Sequence, residues 1–254
     1  MRARQNTQKS INNFLGLAYN NHVEEITVTQ NGFNSLYMSY LYGRVKERFS
    51  FLPAEFSMRK SGEQTQIEMK TERAYSPYVR KFTEENIADI IAVGYKYAFF
   101  DKKLQLPLLP PKQKRLFITA LVSADLPEDR GYVLRRFSGG ETYSLDGVYH
   151  FRLKELIKRW EEIVAYVPLE MGEASMENFL GYLAEDGRKK LFVKGGQVYD
   201  EEYRKLSKSA LTGERSAVGE ILLGQAERIY CFGETDEETA SFLKKYYGEK
   251  AVFC

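Results

Sequence analysis

The sequence contains few of the residues from which metal and redox sites are built. Its 254 residues include only two cysteines, Cys231 and Cys254, and two histidines, His22 and His150. These four side chains follow none of the close spacings, such as CxxC or HxxxH, that bring zinc ligands together. The sequence therefore predicts no metal site and no cofactor. Both cysteines lie in apolar segments of a chain without an export signal, so we expect them to be reduced.

Long apolar runs and an excess of one charge are also missing. The apolar stretch at residues 117–122 is far too short to span a bilayer, and residues 1–10 lack the apolar core of a signal peptide. The 37 basic residues nearly balance the 35 acidic ones, which argues against a general polyanion partner. We therefore expect a cytoplasmic protein with no membrane partner. Hydrophobic residues make up 43% of the chain, enough to bury a core.

Glycine-rich phosphate loops are absent from the sequence as well. Gly139-Gly140 and Gly195-Gly196 begin neither a GxxxxGK[ST] nor a GxGxxG pattern. The second pair instead fits the two-residue turn of a β-hairpin, because glycine tolerates positive φ angles. Basic pairs at 135–136, 189–190 and 244–245 are separated by acidic residues. Nucleic-acid binding or nucleotide handling therefore stays open only as an alternative function.

The clearest helical pattern of the chain lies at residues 147–167. Apolar side chains recur there at spacings of three and four: Val148, Leu153, Leu156, Ile157, Trp160, Ile163, Val164 and Val167. Ser144 or Asp146 can accept hydrogen bonds from the first free N–H groups, and Pro168 has no N–H to continue the helix. The pattern predicts one continuous helix with Trp160 at the centre of its buried face.

The opposite face of this helix carries charges of both signs. Glu155 with Arg159 and Lys158 with Glu162 are predicted to pair across one helical turn. Such a mixed face is usually just solvated. Periodicity alone thus indicates a central amphipathic helix and no function.

Asp146 and His150 form a possible functional polar pair at the start of the same helix. A carboxylate beside a histidine can orient it as a general base. A lone histidine early in an amphipathic helix is more often a boundary residue, and the other groups of a catalytic site are missing. We therefore predict no catalytic residue and expect His150 to be a solvated helix residue.

The same stretch resembles a known family. Residues 145–156, LDGVYHFRLKEL, followed by WEEIV at 160–164, resemble the (I/L)-E-G-F-x-x-F-R-L-K-(D/E)-Y and L-E-E-I-V signature of the YtxC family of sporulation proteins. Residues 226–231 and 248–254 resemble the strand, helix and strand with which that family ends. The match at the central stretch is fairly specific.

The resemblance extends from about residue 83 to residue 254. Residues 1–75 fit it poorly, and Asp146 stands where the family usually has glutamate. The family has no established activity or active site, so the resemblance implies a cellular context and no catalytic residue. Together with the missing catalytic residues, it suggests a sporulation-associated protein that acts by binding another sporulation protein rather than by catalysis.

Charged residues at the start of the central helix match the family although helical periodicity does not require those particular charges. We therefore predict that they contact the partner protein. The predicted partner-binding residues are Arg152, Lys154, Glu155 and Arg159.

The N-terminal part of the chain is predicted to contain a flexible segment and a small α/β module. Residues 1–22 are polar and rich in Asn and Gln, and we expect them to be flexible. Residues 23–103 form the module, whose helices are predicted to begin after Asn34 and Thr83 as N-caps. Its predicted strands are 24–29, 55–60 and 64–71, the last two as a hairpin.

A proline-rich connector separates this module from the rest of the chain. Residues 104–111 contain three prolines and mark the predicted boundary. Residues 112–254 form the second region, with predicted helices at 112–124, 128–137, 175–183, 201–211, 216–223 and from 235 to about 248. Ser175 is predicted to cap the third of these, and Thr235 opens a capping box for the last. Predicted strands are 189–194, 197–200, 227–232 and 251–254.

The overall prediction is an α+β fold with a helical middle at 83–183. Strands are confined to 24–71 and 189–254, and the C-terminal mixed sheet contains a parallel βαβ unit. Two functions remain, a sporulation-associated interaction protein and a nucleic-acid-binding α/β protein. A contiguous basic surface would favour the second, and a mixed surface with one apolar patch would favour the first.

Overall fold

The computed structural model describes residues 23–32, 35–136 and 139–254. The segment 1–22, His22 and the predicted cap Asn34 lie outside the described residues. The α+β prediction is confirmed, because a helical middle lies between two mixed four-stranded sheets. No helix within the described ranges is long and apolar enough to cross a membrane.

Helices occupy most of the middle of the chain and also occur in both flanking regions. They are α1 Leu36–Phe49, α2 Ser76–Asp89, α3 Lys96–Lys103, α4 Pro111–Ala124, α5 Leu126–Arg136, α6 Lys154–Tyr166, α7 Glu173–Glu185, α8 Ala217–Leu223 and α9 Glu237–Tyr246. The strands are β1 Val23–Asn31, β2 Ala54–Ser61, β3 Gln64–Glu72, β4 Thr142–Ser144, β5 Lys189–Lys194, β6 Gln197–Tyr199, β7 Ala226–Phe232 and β8 Ala251–Phe253.

The first sheet has the strand order β2-β3-β1-β4. β3 pairs antiparallel with both β2 and β1, so the hairpin predicted near residue 62 is confirmed. Ile26 and Val28 of β1 lie beside Met69 and Ile67 of β3, and all four side chains are fully buried. Because α1 packs against β2 and β3, this apolar face is enclosed.

The short strand β4 corrects the prediction that residues 83–183 contain no strand. It pairs in parallel with β1, placing Tyr143 beside Val28, and the Thr27 N–H donates to the Glu141 carbonyl at 2.8 Å. Three residues are too few to show a strand period in the sequence. This pairing also bridges the boundary predicted at 104–111.

The second sheet has the order β6-β5-β7-β8, and β5, β7 and β8 run parallel. The predicted βαβ unit is confirmed, since β7 and β8 are neighbours joined through α9. Gly195 and Gly196, with φ of 56° and 70°, form the turn between β5 and β6 as predicted. The cap of α9 is Asp236 rather than Thr235, because the Asp236 carboxylate accepts from the Thr239 N–H at 2.8 Å.

Three predicted helix starts or segments are wrong. Thr83 does not cap a helix, because α2 begins at Ser76, about two turns earlier, with a proline in its first turn, and Thr83 is buried within it. Ser175 lies inside α7, which begins after Gly172. Residues 201–211 are not an α-helix but a turn followed by the 3₁₀ segment Lys208–Thr212. Asp200 accounts for the last difference, since its carboxylate accepts from two backbone N–H groups of the turn.

The predicted helix at 147–167 is divided into three parts. A single helical turn, Leu145–Gly147, leads into the π-helical segment Val148–Arg152, and α6 begins only after Leu153, whose φ of −114° and ψ of 23° are not helical. The predicted burial of Trp160 is confirmed, because its side chain has no solvent exposure.

A buried group of charges fixes the position of Trp160. Lys96 follows the π-helical segment Ile90–Tyr95 and has no solvent exposure. Its ammonium donates to the carboxylates of Asp125 and Asp129, the latter at 2.7 Å. The indole N–H of Trp160 donates to the same Asp129 oxygen at 2.8 Å.

Candidate functional site

The predicted partner-binding residues are exposed, but they do not converge. These side chains are Arg152, Lys154, Glu155 and Arg159. Glu155 pairs with Lys158 at 3.0 Å, so neither predicted pair, Glu155 with Arg159 or Lys158 with Glu162, is the one that forms. Lys158, three residues after Glu155, takes the place of Arg159 as the partner of this carboxylate.

Two of these side chains are turned towards the body of the protein. The Arg159 guanidinium lies 4.9 Å from the centre of the Tyr132 ring and 3.8 Å from Asp129 Oδ1. The Arg152 guanidinium donates to the Arg136 carbonyl at 3.3 Å. Each arginine is thus engaged separately, and the four residues form a mixed-charge surface rather than one site.

Asp146 and His150 do not form the predicted pair. The Asp146 carboxylate accepts from the Tyr95 hydroxyl at 2.9 Å and from the Asn31 N–H at 2.7 Å. His150 is exposed, and its ring packs edge-on against Tyr149. Asp146 therefore anchors the end of β1 to the helical middle and is not positioned to orient His150.

The described chain also offers no grouped metal ligands. Within residues 23–32, 35–136 and 139–254, no three His, Cys, Asp or Glu side chains come together in a way that could hold a metal ion. Cys231 is buried and Cys254 is exposed, and both thiols are free.

The side of the second sheet that faces solvent presents a different kind of surface. Leu191, Val193, Ile229 and Cys231 are buried on the inner side of β5 and β7. The alternate residues of these strands, with their neighbours on β6 and β8, point the other way. We call this surface the outer face: Lys190, Phe192, Lys194, Tyr199, Arg228, Tyr230, Phe232 and Val252.

Strand register arranges the outer face in rows on its two central strands. Lys190 lies beside Arg228, Phe192 beside Tyr230, and Lys194 beside Phe232. The Phe192 ring is 5.7 Å from the Tyr230 ring and 6.2 Å from the Phe232 ring, each with an angle of 24° between planes. The outer face therefore has three successive rows. The first holds two cations, the second holds two stacked rings, and the third holds a lysine beside a phenylalanine.

Tyr203 extends the ring stack from outside the sheet. Its ring lies 4.6 Å from the Phe192 ring at an angle of 18°, and the residue is 68% exposed. Its φ is 56°, a left-handed conformation that costs a bulky residue about 1–3 kcal/mol. The Asp200 carboxylate fixes this turn by accepting from the N–H groups of Glu202 and Arg204. The chain thus holds an exposed tyrosine ring against Phe192 in an unfavourable backbone conformation.

Among the residues that the structure describes, the cations of the outer face have no acidic partner. Within the described part of the chain, no carboxylate oxygen lies within 4.0 Å of the charged groups of Lys190, Lys194 or Arg228. Glu201 is near, but its carboxylate accepts from the backbone N–H of Lys190 at 3.2 Å. Like charges placed side by side on neighbouring strands destabilise a sheet. A bound anion between Lys190 and Arg228 would remove this repulsion.

The outer face was not predicted from the sequence. The available signal was the alternation of basic or aromatic residues with apolar ones in KLFVK at 190–194 and RIYCF at 228–232. Because apolar residues occur at both phases, these runs are also typical of strands buried on both sides. Only the packing reveals that Phe232 and Tyr203 remain exposed.

Comparisons with known proteins give no identification. No family model, curated protein or solved structure significantly matches the chain. The resemblance of residues 145–156 to the YtxC family therefore stays a prediction.

Proposed function

We propose that this protein binds single-stranded nucleic acid through the outer face and does not catalyse a reaction. The observation that carries the proposal is the register of β5 and β7, which places Phe192 and Tyr230 together beside the cations Lys190 and Arg228. Exposed aromatic rings on a sheet provide stacking surfaces for unpaired bases, and neighbouring cations contact the phosphates. This proposal adopts the alternative function from the sequence, nucleic-acid binding, which the nearly balanced net charge had argued against.

The ring stack favours single strands over a duplex. The bases of a duplex are already stacked on one another, so their faces are not available to side chains. Tyr203 ends the stack with a ring that is 68% exposed. An unpaired base can continue the stack on that ring, and stacking on an aromatic side chain contributes about 1–3 kcal/mol per base.

The affinity for a single strand should fall as the salt concentration rises, with a slope set by the number of cations that contact phosphates. Three cations, Lys190, Lys194 and Arg228, lie on the outer face. Because each neutralised phosphate of a single strand contributes about −0.7, the slope of log affinity against log salt should be about −2.

The first prediction is that Tyr203→Ala weakens binding of a fluorescent oligopyrimidine by about tenfold to a hundredfold, because it removes the exposed ring on which a base would stack. Fluorescence anisotropy at low salt measures the affinity. Tyr182→Ala is the matched control, since Tyr182 is 62% exposed but lies on α7. Absence of binding by the unmodified protein, or an equal loss in the control, would contradict the proposal.

A second candidate function is docking of another sporulation protein in the cytoplasm. The observation that favours it is Phe151, which is 78% exposed within the stretch that resembles the YtxC family. Arg152 and Lys154 flank it and are also exposed. An apolar side chain between cations suits a partner surface that is apolar with an acidic rim.

The second prediction concerns this docking surface. Substituting Arg152 and Lys154 together by alanine should reduce spore yield and the amount of protein partner recovered by affinity purification from sporulating cells. Lys46→Ala is the control, because Lys46 is an exposed cation on α1, far from this surface in sequence. Normal spore yield and unchanged recovery in the double variant would show that the surface is not used.

A further inference from the structure

A charged cleft lies on the other side of β5 from the outer face. It has a volume of about 860 Å³ and is lined by residues of α1, α2, α5, β5 and the segment before α8. Lys189 lies in the cleft, whereas its neighbour Lys190 belongs to the outer face, because consecutive strand residues point to opposite sides. The volume is within the range of small-molecule sites, about 300–1,000 Å³.

Cations in this cleft outnumber the carboxylates that neutralise them. Arg130 Nε and Lys208 Nζ lie 2.9 Å and 3.2 Å from the same oxygen of Asp89. Within the described residues, no carboxylate lies within 4.0 Å of the Lys189 ammonium. Three cations therefore share one acid, and two positive charges are left uncompensated.

Two further acidic residues that line the cleft, Asp200 and Glu220, are already engaged. Asp200 pairs with Arg204 at 2.8 Å. Glu220 is buried, and its carboxylate accepts from the backbone N–H groups of Lys208 and Ser209. Burial raises the pKa of Glu220, and the nearby hydrogen bonds and Lys208 oppose that rise. Glu220 thus fixes the backbone at Lys208 rather than neutralising the cleft.

The cations also act on one another. Partial burial, together with the nearby charges of Lys208 and Arg130, lowers the pKa of Lys189. On the facing helix α1, Arg44 lines the cleft, and its Nε is buried with no hydrogen-bond partner in the described chain. Arg48 follows one turn later and also lines the cleft. Positive groups therefore face the cavity from both walls.

We propose that this cleft binds a small phosphorylated molecule, whose phosphate is held by Lys189, Lys208 and Arg130. A phosphate carries close to two negative charges at neutral pH, which matches the two uncompensated positive charges. A planar guanidinium and two ammonium groups supply several donors to its oxygens. The site is independent of the outer face.

The third prediction tests this site with inorganic pyrophosphate as the probe, measured by isothermal titration calorimetry. Lys189→Ala should lower the affinity about tenfold or more, because a hydrogen bond to a charged group is lost. Lys102→Ala, at an exposed position on α3 outside the cleft, is the control, and it should leave pyrophosphate affinity unchanged. Both positions are exposed, so both variants are expected to fold.

The oligopyrimidine assay tests whether the cleft and the outer face are separate sites. Lys190→Ala should weaken oligonucleotide binding, and Lys189→Ala should not. No pyrophosphate binding by the unmodified protein, or equal losses of pyrophosphate affinity in Lys189→Ala and Lys102→Ala, would overturn the cleft proposal without affecting that for the outer face. Failure of oligonucleotide binding with the pyrophosphate results intact would overturn only the latter.

Discussion

Replacing Lys96 by methionine is expected to lower the free energy of unfolding by about 3–5 kcal/mol, because it leaves a buried carboxylate without its cation. Asp129 is only 1% exposed, and Lys96 Nζ is 2.7 Å from its Oδ2. The Arg159 guanidinium, 3.8 Å from the other oxygen, is half-exposed and cannot replace the ammonium. Urea unfolding followed by circular dichroism measures the loss.

The loss should depend on pH in a defined direction. Burial raises the pKa of Asp129 above its ordinary value of 3.8, and Lys96 opposes that rise. Without Lys96 the pKa rises further, so the folded variant binds a proton more readily than the unfolded chain. The resulting stability is fully present below pH 3.8 and is lost as pH rises through the raised pKa. The difference from the unmodified protein should therefore be smaller at acidic than at neutral pH.

Two further variants separate the charge effect from general damage to α3. Lys102→Met lies on the same helix at an exposed position and should change stability by no more than about 0.5 kcal/mol. Adding Asp129→Asn to Lys96→Met removes the uncompensated charge and should restore part of the loss. A single-variant loss below about 1 kcal/mol would show that the buried pair is not a major contribution.

Trp160→Ala is expected to cost about 3–5 kcal/mol, because it removes the largest fully buried side chain and leaves a cavity between α6 and its neighbours. The indole also packs 5.8 Å from the Phe99 ring and 6.2 Å from the Tyr149 ring, measured between centres. Because this is the only tryptophan, its fluorescence reports directly on the site. Native emission should be blue-shifted relative to the unfolded protein.

A phenylalanine at position 160 isolates the hydrogen bond. Trp160→Phe keeps most of the apolar bulk but removes the N–H that donates to Asp129 at 2.8 Å, so the loss should be about 1–3 kcal/mol. Tyr166→Ala, on the same helix and 86% exposed, should stay within about 0.5 kcal/mol of the unmodified protein. Native emission resembling that of an exposed indole would be incompatible with the buried position.

The periodicity of apolar residues predicted the regular strands well, but it failed where local hydrogen bonds decide the backbone conformation. Ile67 and Met69 alternate with charged residues after the turn residues 61–63, and together these features identified the first hairpin and its buried side. Residues 201–211 have helix-forming composition, but Asp200 takes the N–H groups of the turn and so competes with helix formation. A local hydrogen bond of this kind is decided by geometry that composition does not contain.

The charged and aromatic residues show where sequence reasoning ends. Lys96 has the appearance of an ordinary helix residue, yet its two acidic partners come from 29 and 33 residues further along the chain. Lys189 and Lys190 were interpreted as one basic pair, although consecutive residues of a strand point to opposite sides of the sheet. Both cases depend on contacts between distant segments, and periodicity within one segment does not specify them.

The pairing of β1 with β4 also bears on the order in which the chain folds. β1, β2 and β3 are consecutive and can pair as soon as residue 72 has been synthesised, whereas the Asn31–Asp146 contact that closes the other edge of β1 joins residues 115 apart. Closing so long a loop is slow relative to forming a hairpin. Until residue 144 has been synthesised, the edge of β1 opposite β3 has no paired strand near Val28, and a nascent chain would pair with a second copy at this edge.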